Sequence, residues 1–245
     1  MRQRLDHILV TRGLVQSRSR AADLIRRGAV TVDGVAAAKP GQLVDAAARL
    51  HVDANANAHV ARSGGKLMAA LQEFGLDVQG RVALDIGAST GGFTQVLLEA
   101  GARRVYAVDI GRDQLHARLR ADPRVVSLEG VDARALTRAT LAEPVGAIVA
   151  DVSFVSLRHV LPAPLRLAAP GCWLVALVKP QFEVGRSAIG KRGVVRDEAA
   201  RQRAVADIMQ FLEDEGWRIL GDLVSPVPGK EGNVEWLVGA IRNED

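Results

Sequence analysis

From Lys66 to the end of the chain, short apolar stretches rich in β-formers alternate with stretches whose apolar residues recur every three or four positions. Strand patterns fall at Val82 to Ile86, Arg104 to Val108, Val125 to Leu128, Ala147 to Ala150, Trp173 to Val178, Trp217 to Val224 and Val234 to Ile241, with helical patterns between most of them. Strands separated by helices pair through crossovers rather than hairpins, so the alternation predicts an α/β fold with a mostly parallel, doubly wound sheet and helices on both faces. Within it, Leu174-Val175-Ala176-Leu177-Val178 reads as a strand buried on both faces, and Pro180 ends it. Lys179 therefore stands at the carboxyl end of a central strand, the edge at which open α/β sheets bind ligands. A lysine whose stem merely covers apolar surface is the plain alternative.

The first quarter of the chain differs in charge. Residues 1–60 hold nine Lys and Arg against five Asp and Glu, whereas residues 61–245 hold 23 of each, so the whole net charge of +4 belongs to the N-terminal segment. Such asymmetry marks a module for a polyanion. Leu5, Ile8 and Leu9 have helical spacing and Gly13 ends that element; Ser17 is placed to cap a second helix over Arg18 to Arg27, which Gly28 closes. Ala29 to Val32 followed by Asp33-Gly34 reads as a strand entering a tight hairpin turn. On the second helix Arg20 and Arg27 share a face with Arg26 alongside, a grouping able to grip phosphate oxygens. The run RLDHILVTRGLVQSRSRAADLIRRGAVTVDGVAAAKPGQLV, residues 4–44, resembles an S4 RNA-binding domain. That resemblance implies ribosomal RNA or ribosomal subunits as partner, with Arg4, Arg18, Arg20, Arg26 and Arg27 as candidate contacts and Arg62 beyond them.

After Val52 the periodicity is lost through DANANAHVARSGG. The chain thus divides into an S4-like domain over residues 1–60, a linker at about 54–63, and a second domain over residues 64–245. No apolar run approaches the length of a bilayer span, and the N-terminus lacks a signal-peptide core, so the sequence reads as cytoplasmic and non-membrane. The lone Cys172, inside a strand pattern, excludes an intrachain disulfide and a cysteine-based zinc site, and no metal is expected.

ALDIGASTGGFTQVLLEAG, residues 83–101, is a strand, a glycine-rich turn and a helix, with G-A-S-T-G-G in place of the dinucleotide spacing G-x-G-x-x-G. Asp85 just before the glycines opposes a pyrophosphate but tolerates a cationic ligand. Asp109 ends the second strand, where a carboxylate can accept both hydroxyls of a ribose, and Asp132 follows the third, within reach of an adenine amine. Three carboxylates at three successive strand ends suit S-adenosylmethionine, whose sulfonium and ammonium groups are positive.

DIGASTGGFT resembles the first motif of the FtsJ-type methyltransferases. Together with VALVKPQFEVG, GVVRD and GNVEW it resembles the TlyA, or haemolysin A-like, family across essentially the whole chain. The resemblance implies a Rossmann-like S-adenosylmethionine-dependent methyltransferase with a seven-stranded sheet behind a small α+β S4 domain, acting on ribose 2′-oxygens of ribosomal RNA. It implies a catalytic tetrad of Lys66, Asp151, Lys179 and Glu235, with Lys179 as base or as stabiliser of the alkoxide. Cofactor contacts fall on Asp85, Gly87, Ser89, Gly91, Gly92, Phe93, Asp109, Asp132 and Asp151. Residues 183–197, basic and glycine-rich, read as a substrate-facing loop. The rival readings are a noncatalytic RNA-binding assembly factor and, last, a membrane-lytic protein.

Overall fold

The computed structural model describes residues 2–15, 18–26, 28–53, 63–185, 188–190, 193–229 and 232–243, apart from the side chains of Ser19, Arg20 and Asp23. The expected cap Ser17, together with Arg27, Arg62, residues 54–62 of the expected linker and the Arg20 side chain, lies outside what is described. The chain divides into two units, Met1–His59 and Val60–Asp245.

In the first unit, helices α1 (Leu5–Thr11) and α2 (Arg18–Arg26) bury Leu5, Ile8, Leu9, Ala21, Leu24 and Ile25 in a common core. The three- and four-residue spacing of these positions places them on facing helix surfaces. Strands β1 (Arg2–Arg4) and β4 (Leu43–Asp45) pair antiparallel, while β2 (Val30–Val32) lies between β3 (Val35–Ala36) and β5 (Leu50–Val52). Asp33 and Gly34 between β2 and β3 have φ of 51° and 85°, the two left-handed residues a tight hairpin turn requires.

The second unit is built on seven strands: β6 (Val82–Ile86), β7 (Arg104–Asp109), β8 (Val125–Glu129), β9 (Val145–Ala150), β10 (Ala168–Val178), β11 (Trp217–Val224) and β12 (Trp236–Arg242). Their order is β11-β12-β10-β9-β6-β7-β8; β12 runs antiparallel to both neighbours, and the pairs from β10 through β8 are parallel. Alternate residues feed two cores, as the pleat dictates. Leu174, Ala176 and Val178 pack on one face with Leu157, Leu161, Ile208 and Leu212, while Trp173, Val175 and Leu177 pack on the other with Leu67, Phe93 and Leu97. Helices Gly92–Glu99 and Glu198–Asp214 thus cover opposite faces, and β10 is enclosed as its composition predicts.

Three strand starts differ from the sequence reading by two residues or more, the first being β9, which begins at Val145 rather than Ala147. Strand β10 begins at Ala168 rather than Trp173, with a register shift before Trp173 where Pro170 offers no N–H and Gly171 adopts φ +66°; these two residues disguise the first part of the strand. The last strand begins at Trp236 rather than Val234. The Asn233 carbonyl there accepts from Gly229 N at 2.9 Å, so Glu235 stands just outside the strand.

Candidate active site

A cavity of about 660 Å³ opens at the carboxyl edge of the sheet. Its wall includes Gly87, Ala88, Ser89 and Phe93 of the glycine turn together with Lys66, Asp151, Lys179 and Glu235. Lys66 lies in the first turns of helix Gly64–Glu73, Asp151 directly follows β9, Lys179 directly follows β10, and Glu235 directly precedes β12. Lys179 Nζ lies 2.7 Å from Asp151 Oδ1, and Lys66 Nζ lies 2.5 Å from Glu235 Oε2. Lys66 and Glu235 side chains are only 7% and 3% exposed, so this pair is held nearly dry, whereas Asp151 at 18% reaches the cavity. An ion pair removed from water survives only when both partners are satisfied. Four residues that the sequence places in four separate segments thus form two ion pairs in one cavity, one buried and one part-exposed at its wall.

The glycine turn follows β6 with Gly87 at φ +79°, Ser89 at +47° and Gly91 at +97°. A Cβ on Gly87 would lie 2.5 Å from the Asp151 carbonyl oxygen, and one on Gly91 2.2 Å from Leu119 Cδ1. At Gly87 the neighbour is backbone, so glycine is required by space as well as by conformation; at Gly91 the left-handed backbone requires it, and the leucine methyls would have to shift. Asp109 holds the turn: its Oδ2 accepts from Ser89 N and its Oδ1 from Gly111 N, each at 2.7 Å.

Among the residues predicted to touch a cofactor, Gly87, Ser89, Phe93 and Asp151 line the cavity, whereas Asp85, Gly91, Gly92, Asp109 and Asp132 stand outside its wall. Asp85 is fully enclosed; Oδ2 accepts from Thr94 Oγ1 at 2.6 Å, and Oδ1 has no partner among the described residues. Burial pushes its carboxyl up to about 7. Asp132 caps the short turn Ala133–Ala135 through Arg134 N and forks onto the Arg134 guanidinium, which holds its carboxyl below the usual range.

Three features escaped the sequence reading. Ser153 Oγ accepts from Lys179 Nζ at 2.8 Å, a second partner for that ammonium. Phe154 is 89% exposed at the cavity with φ +67°, its ring centroid 5.2 Å from that of Phe182. Glu183 accepts from Ser156 Oγ and Leu157 N. Ser153 and Phe154 carry no signal beyond their residue types, and Glu183, although it lies within VALVKPQFEVG, carries nothing in sequence that names its partners.

In the first unit, Arg4 forks onto the buried Asp6 with Nε–Oδ1 at 3.0 Å and Nη2–Oδ2 at 2.9 Å, and Arg18 Nη2 reaches Oδ2 at 3.1 Å. The Arg4 hydrogen bond leads in lowering the Asp6 carboxyl to about 2. The Arg4 and Arg18 side chains nevertheless remain 52% and 59% exposed, and Arg26 is also exposed. One carboxylate therefore gathers two guanidiniums from different elements and leaves both open to solvent.

A doubly wound sheet with one reversed strand beside its carboxyl-edge cavity, entered by a glycine turn without dinucleotide spacing, defines a Rossmann-like methyltransferase. The chain belongs to the FtsJ-like methyltransferase family: that family's model matches residues 59–242, and an S4 domain model matches residues 3–50. It is 47% identical over 238 residues to the 16S/23S rRNA (cytidine-2'-O)-methyltransferase TlyA of Mycobacterium tuberculosis, covering 97% of this chain and 89% of that one. It is 37% identical to Hemolysin A of Brachyspira hyodysenteriae, covering 97% and 99% of the two chains. A solved Streptococcus thermophilus structure that carries a hemolysin name matches with a TM-score of 0.79 at 37% identity, covering 100% of this chain and 90% of that one.

The close approach of Gly87 to Asp151 is testable by stability. Gly80 also has positive φ, at +69°, but a Cβ there meets nothing within 4 Å. In urea denaturation Gly80→Ala is expected to cost about 1 kcal/mol, the conformational term alone. Gly87→Ala adds the clash and is expected to cost at least about 1 kcal/mol more; equal losses would show that the contact is not tight.

Proposed function

We propose that the protein is an S-adenosylmethionine-dependent methyltransferase acting on a ribose 2′-hydroxyl of ribosomal RNA. The observation that carries this reading is the meeting, in one cavity, of a glycine turn and two lysine–carboxylate pairs. Gly87 brings bare backbone to the cavity wall, and the enclosed carboxyl of Asp85 behind the turn, with Oδ1 unpartnered among the described residues, favours a positive charge in the cavity through its field rather than by contact. We assign cofactor contacts to Gly87, Ser89, Phe93 and Asp151 at the cavity, and to Asp109 and Asp132 at the ends of β7 and β8. When bound, S-adenosylmethionine supplies an electrophilic methyl group on a positively charged sulfur.

The chain's own residues account for the rest. An ammonium has three N–H donors; Lys179 gives one to Asp151 and one to Ser153, which leaves a third for an incoming 2′-oxygen. As the oxygen takes the methyl group, the hydroxyl proton passes to the Asp151 carboxylate at the cavity and from there to solvent, and a lysine already fixed stabilises the negative charge that builds on oxygen without reorganisation. Lys66, locked to Glu235, adds a second positive group at the cavity wall. Phe154 offers an open ring face beside the reacting centre, a surface on which a base turned out of its helix can stack. Arg4, Arg18 and Arg26, with Arg20, Arg27 and Arg62, supply phosphate contacts. A ribosomal substrate puts the reaction in the cytoplasm. The lytic reading has less support: among the described residues no helix is long and apolar enough to cross a membrane.

Purified protein given S-adenosylmethionine and ribosomal subunits is expected to methylate one or two ribose positions, mapped by alkaline-hydrolysis protection. Lys179→Ala is expected to lower kcat roughly a hundred- to a thousandfold with cofactor affinity intact; full turnover by that variant would sink the mechanism.

The raised Asp85 pKa has a sign that can be checked. Burial favours the protonated acid up to about pH 7, and a bound cation favours the carboxylate, so cofactor binding releases protons near neutrality. Affinity should tighten as pH rises from about 6 to about 8, with the binding enthalpy dependent on the buffer's ionisation heat. Asp85→Asn should remove both effects in calorimetry.

For RNA binding, Arg4→Ala is expected to reduce the salt slope of the affinity by about 1. Asp6→Asn, although it deletes a negative charge, should also weaken binding, because Arg4 and Arg18 lose the carboxylate that fixes them. Tighter binding by Asp6→Asn in filter or anisotropy assays would refute that role.

A further inference from the structure

Two segments leave the sheet side by side at the active edge: residues 151–157 after β9 and residues 179–183 after β10. Their contacts form a series. Asp151 and Ser153 meet Lys179 at 2.7 and 2.8 Å. Phe154 then packs on Phe182, with ring centroids 5.2 Å apart and planes tilted by 50°. Beyond them, Ser156 Oγ donates to Glu183 Oε2 at 2.6 Å and Leu157 N donates to Glu183 Oε1 at 3.0 Å. Residues 152–155 are therefore held at both ends, by the catalytic lysine on one side and by Glu183 on the other.

We infer that Glu183 is a positioning residue for methyl transfer: its carboxylate clamps the start of the helix Leu157–Val160 and thereby fixes Ser153 and Phe154 over Lys179. The inference rests on the proposed methyltransferase reading. Glu183 does not line the cavity, so it acts through its neighbours.

Three observations converge on the role. Both carboxylate oxygens are used on the same short segment, one on a side chain and one on a backbone N–H, which fixes that segment in two directions. The Ser156 hydroxyl is shared, accepting from Arg158 N at 3.2 Å while it donates to Glu183, so the clamp is continuous with the helix cap. The third is strain. Phe154, a large non-glycine residue, holds φ at +67° with its side chain almost wholly exposed. No burial of that side chain repays the conformation, so the fixed ends of the segment must enforce it. Without Glu183 the far end is held only by the apolar packing of Val155 and Leu157, which fixes no polar direction, and Phe154 gains freedom to relax toward an ordinary backbone conformation. Ser153, one residue away, moves with it and leaves the ammonium with one partner fewer.

The test compares Glu183→Ala with Glu183→Gln by steady-state methylation of ribosomal subunits, with cofactor affinity from calorimetry and folding from thermal melts. The amide keeps an acceptor for Leu157 N and a donor for the Ser156 oxygen, so it retains the geometry without the charge. Glu183→Ala is expected to lower kcat roughly ten- to a hundredfold, the loss that a small misplacement of reacting groups produces. Its cofactor Kd should remain within about twofold, and Glu183→Gln should keep kcat within about threefold of wild type. Full kcat in Glu183→Ala, or equal losses in Glu183→Ala and Glu183→Gln, would overturn the inference. Should Glu183→Ala fail to fold, Ser156→Ala removes one of the two bonds and is expected to lower kcat several-fold; an unchanged kcat there also overturns it. A wild-type protein that transfers no methyl group to RNA would defeat the underlying reading and this inference with it.

Discussion

Two lysine ammoniums stand almost out of water at one edge of the sheet, and the arrangement of the second unit follows from the need to neutralise them. Removing an ammonium from water costs several kcal/mol, which only a close opposite charge with further hydrogen bonds offsets. Asp151 and Lys179 meet because β9 and β10 are neighbours and both end at that edge. Glu235 meets Lys66 because β12 runs backwards: Trp236 pairs with Val178, so the beginning of β12 lies beside the end of β10. Were β12 parallel, its seven residues would carry Glu235 about 20 Å away, to the opposite edge. The reversed strand is thus what brings the second carboxylate to the second lysine.

The same edge joins two kinds of chemistry through backbone packing. The glycine turn that shapes the cofactor side touches the Asp151 carbonyl, and the Asp151 side chain holds Lys179. Asp109 ties Ser89 to the end of β7, so the turn is fixed from both the β7 and the β9 side. A methyl group must meet an oxygen in line, and a rigid scaffold on both sides of that line supplies the orientation.

Much of this was legible in the sequence, for identifiable reasons. All seven long strands announce themselves because buried strands need apolar runs, and Lys179 was placed by the Pro180 that follows it. Where Pro170 and Gly171 interrupt the run, the start of β10 was hidden. Asp85 stands out in the sequence, but its position in β6 encloses it, and position at a strand end does not distinguish a carboxylate at the ligand from one within the sheet. Ser153 and Glu183 were invisible for another reason. Their partners lie 26 or 27 positions away and meet only because two neighbouring strands end together. The left-handed Phe154 has no sequence signature, since the residue type argues against the conformation.

Strand β12 is the last element among the described residues, yet it lies between β10 and β11 rather than at an edge. During synthesis, β11 is made before the strand to which it must bond, and Lys66 waits 169 residues for Glu235. Until β12 leaves the ribosome, the sheet has a vacancy and Lys66 lacks the counter-charge of Glu235. Closure of the sheet and pairing of Lys66 with Glu235 are therefore one event, and a chain cut before Glu235 has a gap between β10 and β11 and a Lys66 without its counter-charge.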